Sequence, residues 1–387
     1  MKILYIANVR IPTEMAHGVQ IMHMCEAFAD QEVRGSKFEV ELVVPKRFSI
    51  SDIGKKDPFE YYGVKRNFTI KKIFCFDLTP LNKYLGPISF LTQALSFAFF
   101  ASFYLLFKKT DVIFSRDRFS LLFIAPMKKN VVLEAHQLHR SLFKFTLDKV
   151  KKIIVITRGL KEDLVKRGIK ENKIFVAADG VDLRMFDVRC SKLEARKKLN
   201  LPLDKKLIIY IGQLYKWKDV ETLALASRYL SSSPPVPSPL IIIGGGIKWY
   251  LDNFNEFIKQ EKLEKVITLG HQEYSKIPYF LRAADCLVLT GTVKYGISEK
   301  YTSPMKMFEY MTSHEPIVAS DLPSFREVLN EKNAILVESD NPEAMARGIK
   351  KAFSDTEFSA KISEQAYQDV QKYAWDNRAK NILDAIS

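Results

Sequence analysis

Short apolar runs recur along this chain, and their arrangement constrains the fold more than any other feature of the sequence. Most of the runs are continuously apolar rather than alternating, which is typical of strands buried on both faces of a parallel sheet. Helical stretches separate them, and strands that alternate with helices imply parallel sheets with right-handed crossovers. The strands are expected at Ile3–Ala7, Val40–Val44, Ile70–Phe76, Val112–Ser115, Val131–Glu134, Ile153–Ile156 and Ile174–Ala177, and then at Leu207–Ile211, Leu240–Ile243, Val266–Leu269, Cys286–Leu289, Pro316–Ala319 and Ala334–Val337.

The length of 387 residues exceeds what one hydrophobic core usually supports, so we expect two doubly wound α/β domains facing each other. The boundary is predicted near residue 190, because the charged stretch Arg189–Asn200 and Pro202 precede a new strand. This division predicts an N-terminal domain at 1–190, a C-terminal domain at 191–370 and a C-terminal helix at 371–387. Ligands of open parallel sheets bind at the carboxyl ends of the strands, so the cleft between the domains is the expected active site.

The charge of the chain is unevenly distributed. Residues 1–190 hold 32 Lys and Arg against 20 Asp and Glu, a net charge of +12 out of +14 for the whole chain. A basic half indicates a polyanionic neighbour, unless it is only a solvated basic surface. The basic residues are scattered as pairs rather than gathered in one motif, so a membrane surface or phosphate is favoured over nucleic acid.

One segment, Ile88–Phe107, has 20 residues without a charge, which is the nominal length of a membrane span. Polar residues at helical spacing, Ser89, Thr92, Gln93 and Ser96, favour a buried or half-buried helix. An interfacial helix that docks on a membrane, or a true span, remains open. No secretory signal is expected at the N-terminus, and the cytoplasm, with attachment to the inner face of the membrane, is the predicted location.

Four widely spaced cysteines, without a CxxC pair, argue against a disulfide framework or a structural zinc site; they are Cys25, Cys75, Cys190 and Cys286. The sequence also lacks three motifs of other enzyme classes: a GxxxxGK[ST] phosphate loop, a GxSxG elbow and an Asp-x-Asp pair. The last of these would bind the divalent metal of a nucleotide sugar. We therefore expect neither a metal nor a cofactor.

The strongest local motif is the segment YTSPMKMFEY, which ends at residue 310. Ser303 suits a helix N-cap and the proline after it suits the first helical position. The amides of Met305 and Lys306 would then form a phosphate site at the start of a helix, with the lysine adding a positive charge. Glu309 follows on the same helix face and could bind two neighbouring hydroxyls of a ribose. The plainer interpretation is a capped helix with an exposed glutamate.

Two further segments of the second half follow predicted strands. In YIGQLYKWKD, Lys218 could reach a diphosphate, although a solvated surface lysine would show the same pattern. In IIIGGG, Gly245 would allow close approach of the backbone to a ligand. This is not the dinucleotide fingerprint, because Trp249 occupies the position of its last glycine.

Histidines follow predicted strands in the first half. In VVLEAHQLH, His136 lies just past a strand, where it could bind a substrate hydroxyl or simply be a satisfied histidine near the core. His139 could join it as a metal ligand, but a third ligand is not nearby, so a metal site is not expected. His17 and Gly18, in the loop predicted after the first strand, would place an imidazole and flexible backbone at the cleft.

Together these segments resemble the retaining, metal-independent glycosyltransferases of the GT-B fold, family 4, over nearly the whole chain. The resemblance also includes GHQEYSKIPYFLRAADCLVL, PIVASDLPSFREVL and the tail YAWDNRAKNIL. It implies that Lys218 and Lys306 bind the donor diphosphate, that Glu309 binds the ribose and that His136 contacts the transferred sugar. It also implies that Gly18 lines the junction of donor and acceptor, and that the tail helix crosses back onto the first domain.

The sequence departs from this family at two positions. Tyr301 stands where the family often has a glutamate, which affects how the donor sugar is held. Gln213, which is also expected to contact the substrate, stands where a basic residue is often found, so the diphosphate site has one positive charge fewer.

The resulting expectation is a hexosyltransferase that moves a sugar from a UDP- or GDP-sugar to a lipid-linked or glycan acceptor, in cell-envelope polysaccharide or glycolipid synthesis. The alternatives are a nucleotide-sugar epimerase, which needs no acceptor, and a non-catalytic sugar-nucleotide-binding subunit of a membrane complex. Tyr301 gives the non-catalytic alternative some support, whereas His136, Lys218 and Glu309 favour catalysis.

Overall fold

The computed structural model describes residues 1–33, 35–48, 52–137, 144–230, 240–245 and 247–386, so the predicted position of His139 lies outside the described residues. The chain forms two compact units: unit 1 comprises Met1–Gly180 and Trp375–Ser387, and unit 2 comprises Val181–Ala374. The first division lies at residue 180 rather than at the predicted residue 190. It does so because the Val181 N–H donates to the Tyr373 carbonyl (3.1 Å), which ties both ends of unit 2 together.

Unit 1 contains a parallel sheet with helices in its crossovers. Its strands are β1 (Lys2–Ile6), β2 (Glu32–Val33), β3 (Ser36–Lys37), β4 (Glu39–Pro45), β5 (Thr69–Ile73), β6 (Val112–Ser115), β7 (Val131–Ala135), β8 (Lys152–Val155) and β9 (Ile174–Val176). Its helices before residue 180 are α1 (Ala16–Asp30), α2 (Pro58–Tyr62), α3 (Asn82–Leu85), α4 (Pro87–Leu106), α5 (Arg118–Ile124), α6 (Lys144–Lys149) and α7 (Arg158–Lys166).

The main sheet of unit 1 has the strand order β5-β4-β1-β6-β7-β8-β9, and every pairing in it is parallel. The order reverses between β1 and β6, which makes this the topological switch point of a doubly wound sheet. The strands β1, β6 and β7 are buried along nearly their whole length, as continuously apolar runs predict.

Helix α4 is half-buried, and it buries polar side chains among apolar ones while large apolar side chains remain exposed on its other face. Ser89 and Gln93 are fully buried, and the Gln93 amide donates to Asn8 Oδ1 (2.9 Å). Large apolar side chains such as Phe99 and Phe103 are instead more than half exposed (54% and 55%). The helix is long and apolar enough to cross a bilayer by length and composition, with a mean hydropathy of 1.5.

Unit 2 repeats the doubly wound architecture. Its strands are β10 (Leu207–Ile211), β11 (Leu240–Gly244), β12 (Val266–Gly270), β13 (Cys286–Leu289), β14 (Ile317–Ser320) and β15 (Ile335–Val337), in the parallel order β12-β11-β10-β13-β14-β15. Its helices are α8 (Leu183–Phe186), α9 (Lys192–Lys198), α10 (Val220–Ala226), α11 (Lys248–Gln260), α12 (Ile277–Ala283), α13 (Met305–Met311), α14 (Pro323–Arg326), α15 (Pro342–Ser354) and α16 (Thr356–Val370). The switch point lies between β10 and β13, so the carboxyl end of β10 is where a ligand is expected.

The last helix, α17 (Trp375–Ile386), belongs to unit 1 and packs against α1. Its apolar stripe is buried, including Ala379 and Ile382 at 0% exposure. Trp375 stacks on His23 of α1, with ring centroids 6.1 Å apart. The end of the chain is therefore part of the core of unit 1.

Candidate functional site

The candidate site of unit 2 forms where β10 ends and α13 begins. The Tyr310 hydroxyl of α13 accepts a hydrogen bond from the Ile211 N–H (2.8 Å) and donates to the Ile211 carbonyl (3.3 Å). These two bonds hold α13 against the last residue of β10. Gly212 follows at once, and a Cβ atom there would lie 3.5 Å from Lys306 Nζ, so the lysine reaches the carboxyl end of the strand.

Lys306 is a buried cation beside this strand end. The residue is 7% exposed, and its Nζ has no hydrogen-bond partner among the residues that the structure describes. The ammonium lies 3.5 Å from the centroid of the Tyr210 ring, whose hydroxyl donates to the Gln213 carbonyl (3.0 Å). Burial, and after it the charge of Lys218, hold the pKa of Lys306 well below its usual range. An unpaired buried ammonium costs free energy that an anionic ligand would recover.

Glu309 and Lys218 interact electrostatically with Lys306. Burial raises the pKa of Glu309 to about 7, against the opposing effects of a hydrogen bond from Tyr274 (3.0 Å) and of the two lysines. Burial lowers the pKa of half-buried Lys218 to about 8, and Glu309 opposes that shift. The structure therefore brings together the three charged residues that the sequence analysis assigned to one donor site.

The predicted helix cap is wrong by one residue. Helix α13 begins at Met305, and Pro304 is its N-cap, with an extended backbone (φ −74°, ψ 123°) and no side-chain hydrogen bond at the cap. Ser303 is buried one position earlier and is not the cap. Since Pro304 has extended rather than helical backbone angles, it is not part of the helix. The first turn therefore starts one residue later than the motif predicts.

Gly245 makes a close backbone approach, but to the protein itself. It has a φ of +121°, and a Cβ atom there would lie 2.4 Å from the Gly212 carbonyl oxygen. The Gln213 side chain also acts locally, because its Oε1 accepts from the Ile247 N–H (3.1 Å). Both residues shape the loops around the strand end. Contact of either with a substrate stays a prediction.

Tyr301, one of the two positions at which the sequence departs from the proteins that it resembles, ends the π-helical turn Ile297–Tyr301 just before α13. Its side chain is half-buried. The nearby Glu299 forms an ion pair with Lys300 (3.8 Å). The neighbouring carboxylate is thus engaged with a neighbouring lysine, and the effect of Tyr301 on the donor sugar stays a prediction.

In unit 1, His136 directly follows β7, at the carboxyl side of the sheet. Its Nε2 lies 3.1 Å from Oε1 of Glu134, the last-but-one residue of β7. His17 lies near the same group, and burial, followed by the charges of Arg116 and His136, lowers the pKa of His17 to about 4. The two predicted histidines of unit 1 are therefore close enough to influence each other.

His17 and Gly18 lie in the first turn of α1 rather than in a loop, which corrects the sequence prediction. A Cβ atom at Gly18 would lie 2.3 Å from the Tyr62 hydroxyl. That hydroxyl accepts from the Thr13 N–H (2.7 Å) and donates to the Thr13 carbonyl (2.8 Å). The glycine is therefore needed for packing, and its predicted place at the donor–acceptor junction stays untested.

A group of three potential metal ligands occurs in the same part of unit 1: oxygen or nitrogen atoms of Glu134, His136 and Asp179 lie within 4.8 Å of one another. However, Arg378 Nη2 lies 2.6 Å from Glu134 Oε1. The guanidinium already provides the positive charge that this carboxylate needs, so the arrangement is a poor fit for a divalent cation.

Sequence reasoning missed several residues that support these sites. Tyr274 donates a hydrogen bond to Glu309, and Tyr310 holds α13 against β10. Neither tyrosine shows a sequence signal that would have identified this role. Glu134 is the one ionisable residue of its strand, which is a signal that could have been used. Arg378 gives no such signal, because it is 244 residues away from its partner.

Comparisons with known proteins find glycosyltransferases both by sequence and by structure. A model of the family "Glycosyl transferases group 1" matches residues 191–369. Glycosyltransferase MJ1607 of Methanocaldococcus jannaschii is 27% identical over 240 residues, which cover 60% of this chain and 58% of that protein. A D-inositol 3-phosphate glycosyltransferase of Corynebacterium urealyticum is 23% identical over 243 residues, which cover 60% and 55%. The chain thus spans less than two thirds of the length of these relatives.

Solved structures match along the whole chain. HepE of Anabaena, in complex with UDP and glucose, aligns with a TM-score of 0.74 at 16% identity and covers 100% of this chain and 99% of its own. WaaG, a glycosyltransferase involved in lipopolysaccharide biosynthesis, aligns with a TM-score of 0.68 at 12% identity and covers 99% of both chains. The chain therefore has the GT-B fold, and its residues 191–369 match the family of glycosyl transferases group 1.

Proposed function

We propose that this protein is a glycosyltransferase that takes a sugar from a nucleoside-diphosphate sugar. The observation that carries the proposal is the unpaired buried ammonium of Lys306, at the switch point of the unit 2 sheet and coupled to Lys218 and Glu309. A diphosphate supplies an anionic partner for both lysines. A ribose supplies hydroxyls that can donate hydrogen bonds to the Glu309 carboxylate. The UDP and glucose bound to HepE support this class of donor.

The proposed reaction retains configuration and needs no metal ion. As the sugar–phosphate bond breaks, negative charge develops on the leaving diphosphate and positive charge on the anomeric carbon. Lys218 and Lys306 stabilise the diphosphate at that moment. Its phosphate oxygen then accepts the proton of the attacking hydroxyl, which bonds to the anomeric carbon on the same face. His136 of unit 1 is proposed to contact the transferred sugar.

A donor screen tests this function. The thermal shift of the protein is measured with UDP-, GDP- and ADP-sugars, and the best donor is then incubated with lipid-linked and glycan acceptors. A glycosylated acceptor that keeps the anomeric configuration supports the proposal. Conversion of the donor to another sugar nucleotide without an acceptor would indicate an epimerase, and binding without any product would indicate a non-catalytic subunit.

The metal requirement is tested separately. With the transferase assay in hand, we expect activity to survive an excess of EDTA, because the two lysines supply the positive charge at the diphosphate. Loss of activity that Mg²⁺ or Mn²⁺ restores would contradict the metal-free mechanism.

We further propose that unit 1 docks on an anionic membrane to reach a lipid-linked acceptor of envelope polysaccharide or glycolipid synthesis. An aromatic patch supports this docking, and it consists of Phe74, Phe76, Phe99, Phe100, Phe103 and Phe107. Lys71 and Lys108 lie beside Tyr104 of the same helix α4, with ammonium groups 5.9 Å and 4.8 Å from its ring centroid. Exposed aromatic rings beside lysines suit the boundary between headgroups and acyl chains.

Co-sedimentation with vesicles tests the docking. The protein should pellet with phosphatidylglycerol vesicles at low salt, and much less with phosphatidylcholine vesicles or at high salt. Phe99→Ser combined with Phe103→Ser should abolish pelleting without loss of folding, because both side chains are already half exposed. Phe145→Ser, at an exposed phenylalanine of unit 1 outside the patch, is the matched control. If the parent protein pellets with neither phosphatidylglycerol nor phosphatidylcholine vesicles, the docking proposal is contradicted.

A further inference from the structure

Glu134 is the centre of a buried polar cluster in unit 1. Its side chain has no exposed surface. Oε2 accepts a hydrogen bond from the Tyr5 hydroxyl (2.8 Å), and Oε1 accepts from the Gln20 amide (2.8 Å) and from Arg378 Nη2 (2.6 Å). Burial of a carboxylate is costly unless each oxygen has donors, and here both oxygens do.

Arg378 comes to this cluster from the other end of the chain, on α17. Its side chain is 3% exposed, and its Nε and Nη2 donate to the carbonyls of Ala178 (2.8 Å) and Ala177 (3.2 Å). Burial alone would raise the pKa of Glu134, but Arg378, together with His136 and Arg116, outweighs burial and holds that pKa well below its usual range. The carboxyl group of Glu134 is therefore ionised.

The charge of Glu134 determines which nitrogen of His136 carries a proton. An ionised carboxylate can only accept hydrogen bonds, so the His136 Nε2 that lies 3.1 Å from Oε1 must be the donor. In a neutral imidazole the Nδ1 atom is then left with a free lone pair. That atom can accept a hydrogen bond from a hydroxyl group.

We propose that Glu134 and Arg378 are positioning residues for His136: they keep its ring in the Nε2–H tautomer, so that Nδ1 accepts a hydroxyl of the transferred sugar. The identity of that hydroxyl rests on the proposed function, whereas the tautomer does not. The C-terminal helix thereby has a chemical role in addition to its packing role, since it supplies the guanidinium that keeps Glu134 ionised.

The tautomer is measured directly by long-range ¹⁵N–¹H correlation on the full chain labelled with ¹⁵N-histidine. The spectrum of His136→Gln identifies the signals of His136 among the six histidines of the chain. At a pH where the ring is neutral, the parent should show a protonated Nε2 and an unprotonated Nδ1. Glu134→Gln should populate the Nδ1–H form, because an amide can donate to Nε2 as well as accept from it.

Variants of the arginine separate positioning from folding. Arg378→Lys should retain the parental tautomer, because it keeps the charge. Arg378→Gln leaves a buried carboxylate without its cation and can fail to fold, so the neutral pair Glu134→Gln with Arg378→Gln replaces it in that case. The pair should fold and lose the tautomer preference.

A control uses an arginine–carboxylate pair of unit 2, Arg196 and Asp285, whose side chains are 5% and 10% exposed and whose nearest atoms are 2.5 Å apart. Arg196→Lys should leave the His136 signals unchanged. If Glu134→Gln and the neutral pair both fold and keep the parental tautomer, the positioning role is refuted. This outcome would leave donor binding in unit 2 untouched, so it is distinguishable from a failure of the proposed function.

Discussion

At the residue scale, Lys306 shows a conflict between stability and binding. A buried ammonium without a hydrogen-bond partner among the described residues is not what folding alone would favour, and its contact with the Tyr210 ring recovers only part of the cost. The sequence could predict that Lys306 and Glu309 share a helix face, because this depends on helical spacing. It could not predict the Arg378–Glu134 pair, because that contact depends on the tertiary fold.

We predict that Lys306→Met weakens nucleotide-sugar binding roughly 10- to 100-fold, as expected when a charge-assisted contact of about 1.5–3 kcal/mol is lost. The free energy of unfolding should fall by no more than about 1 kcal/mol, because the variant also removes an unpaired buried charge. Calorimetric titration and thermal unfolding measure the two effects. Severe destabilisation with unchanged affinity would show that the lysine is structural.

The pH dependence of donor binding follows from the raised pKa of Glu309 and the lowered pKa values of Lys218 and Lys306. Below a pH of about 7 Glu309 becomes protonated and loses the negative charge that makes it a strong acceptor for two hydroxyls, and above about 8 Lys218 loses its charge. Affinity for the donor should therefore be highest between these values and fall on both sides. Titration with UDP-glucose measures this, since its phosphates stay ionised throughout. Glu309→Gln should remove the acidic limb, and an unchanged limb would contradict the assignment.

At the element scale, the strands were predictable and the orientation of helices was not. Each predicted strand corresponds to a strand of the two main sheets, because a strand buried on both faces has a distinctive apolar run. The start of α13 was misplaced by one residue, since the extended backbone of Pro304 is not encoded in the cap motif. In α4 the polar residues Ser89 and Gln93 face inward, where the fold provides partners.

Helix α17 gives a prediction at this scale. Ile382→Ala should destabilise unit 1 by about 2–5 kcal/mol, because it leaves a cavity under a fully buried side chain. Hydrogen exchange should then accelerate in α1, which packs against α17, and not in the strands of unit 2. Lys380→Ala, on the exposed face of the same helix, is the control and should change little. Equal acceleration in both units would contradict the assignment of α17 to unit 1.

At the scale of the whole molecule, two doubly wound units place different chemistry at corresponding strand ends. Unit 2 has two lysines and a carboxylate with displaced pKa values. Unit 1 instead has His136 within hydrogen-bond distance of the buried ion pair of Glu134 and Arg378. The strand order of both sheets puts these groups near a topological switch point. Two domains were predictable from length and pattern, but the division at residue 180 depends on the pairing of Val181 with Ala374.

The central claim is that unit 2 binds a nucleoside-diphosphate sugar through Lys306 and Glu309. The most direct test is the dissociation constant of the sugar nucleotide that gives the largest thermal shift, measured by calorimetry for the parent, Lys306→Ala and Glu309→Ala. We predict binding to the parent and a loss of roughly tenfold or more in each variant. Affinities within twofold of the parent in both variants, or no binding of any sugar nucleotide to the parent, would contradict the account.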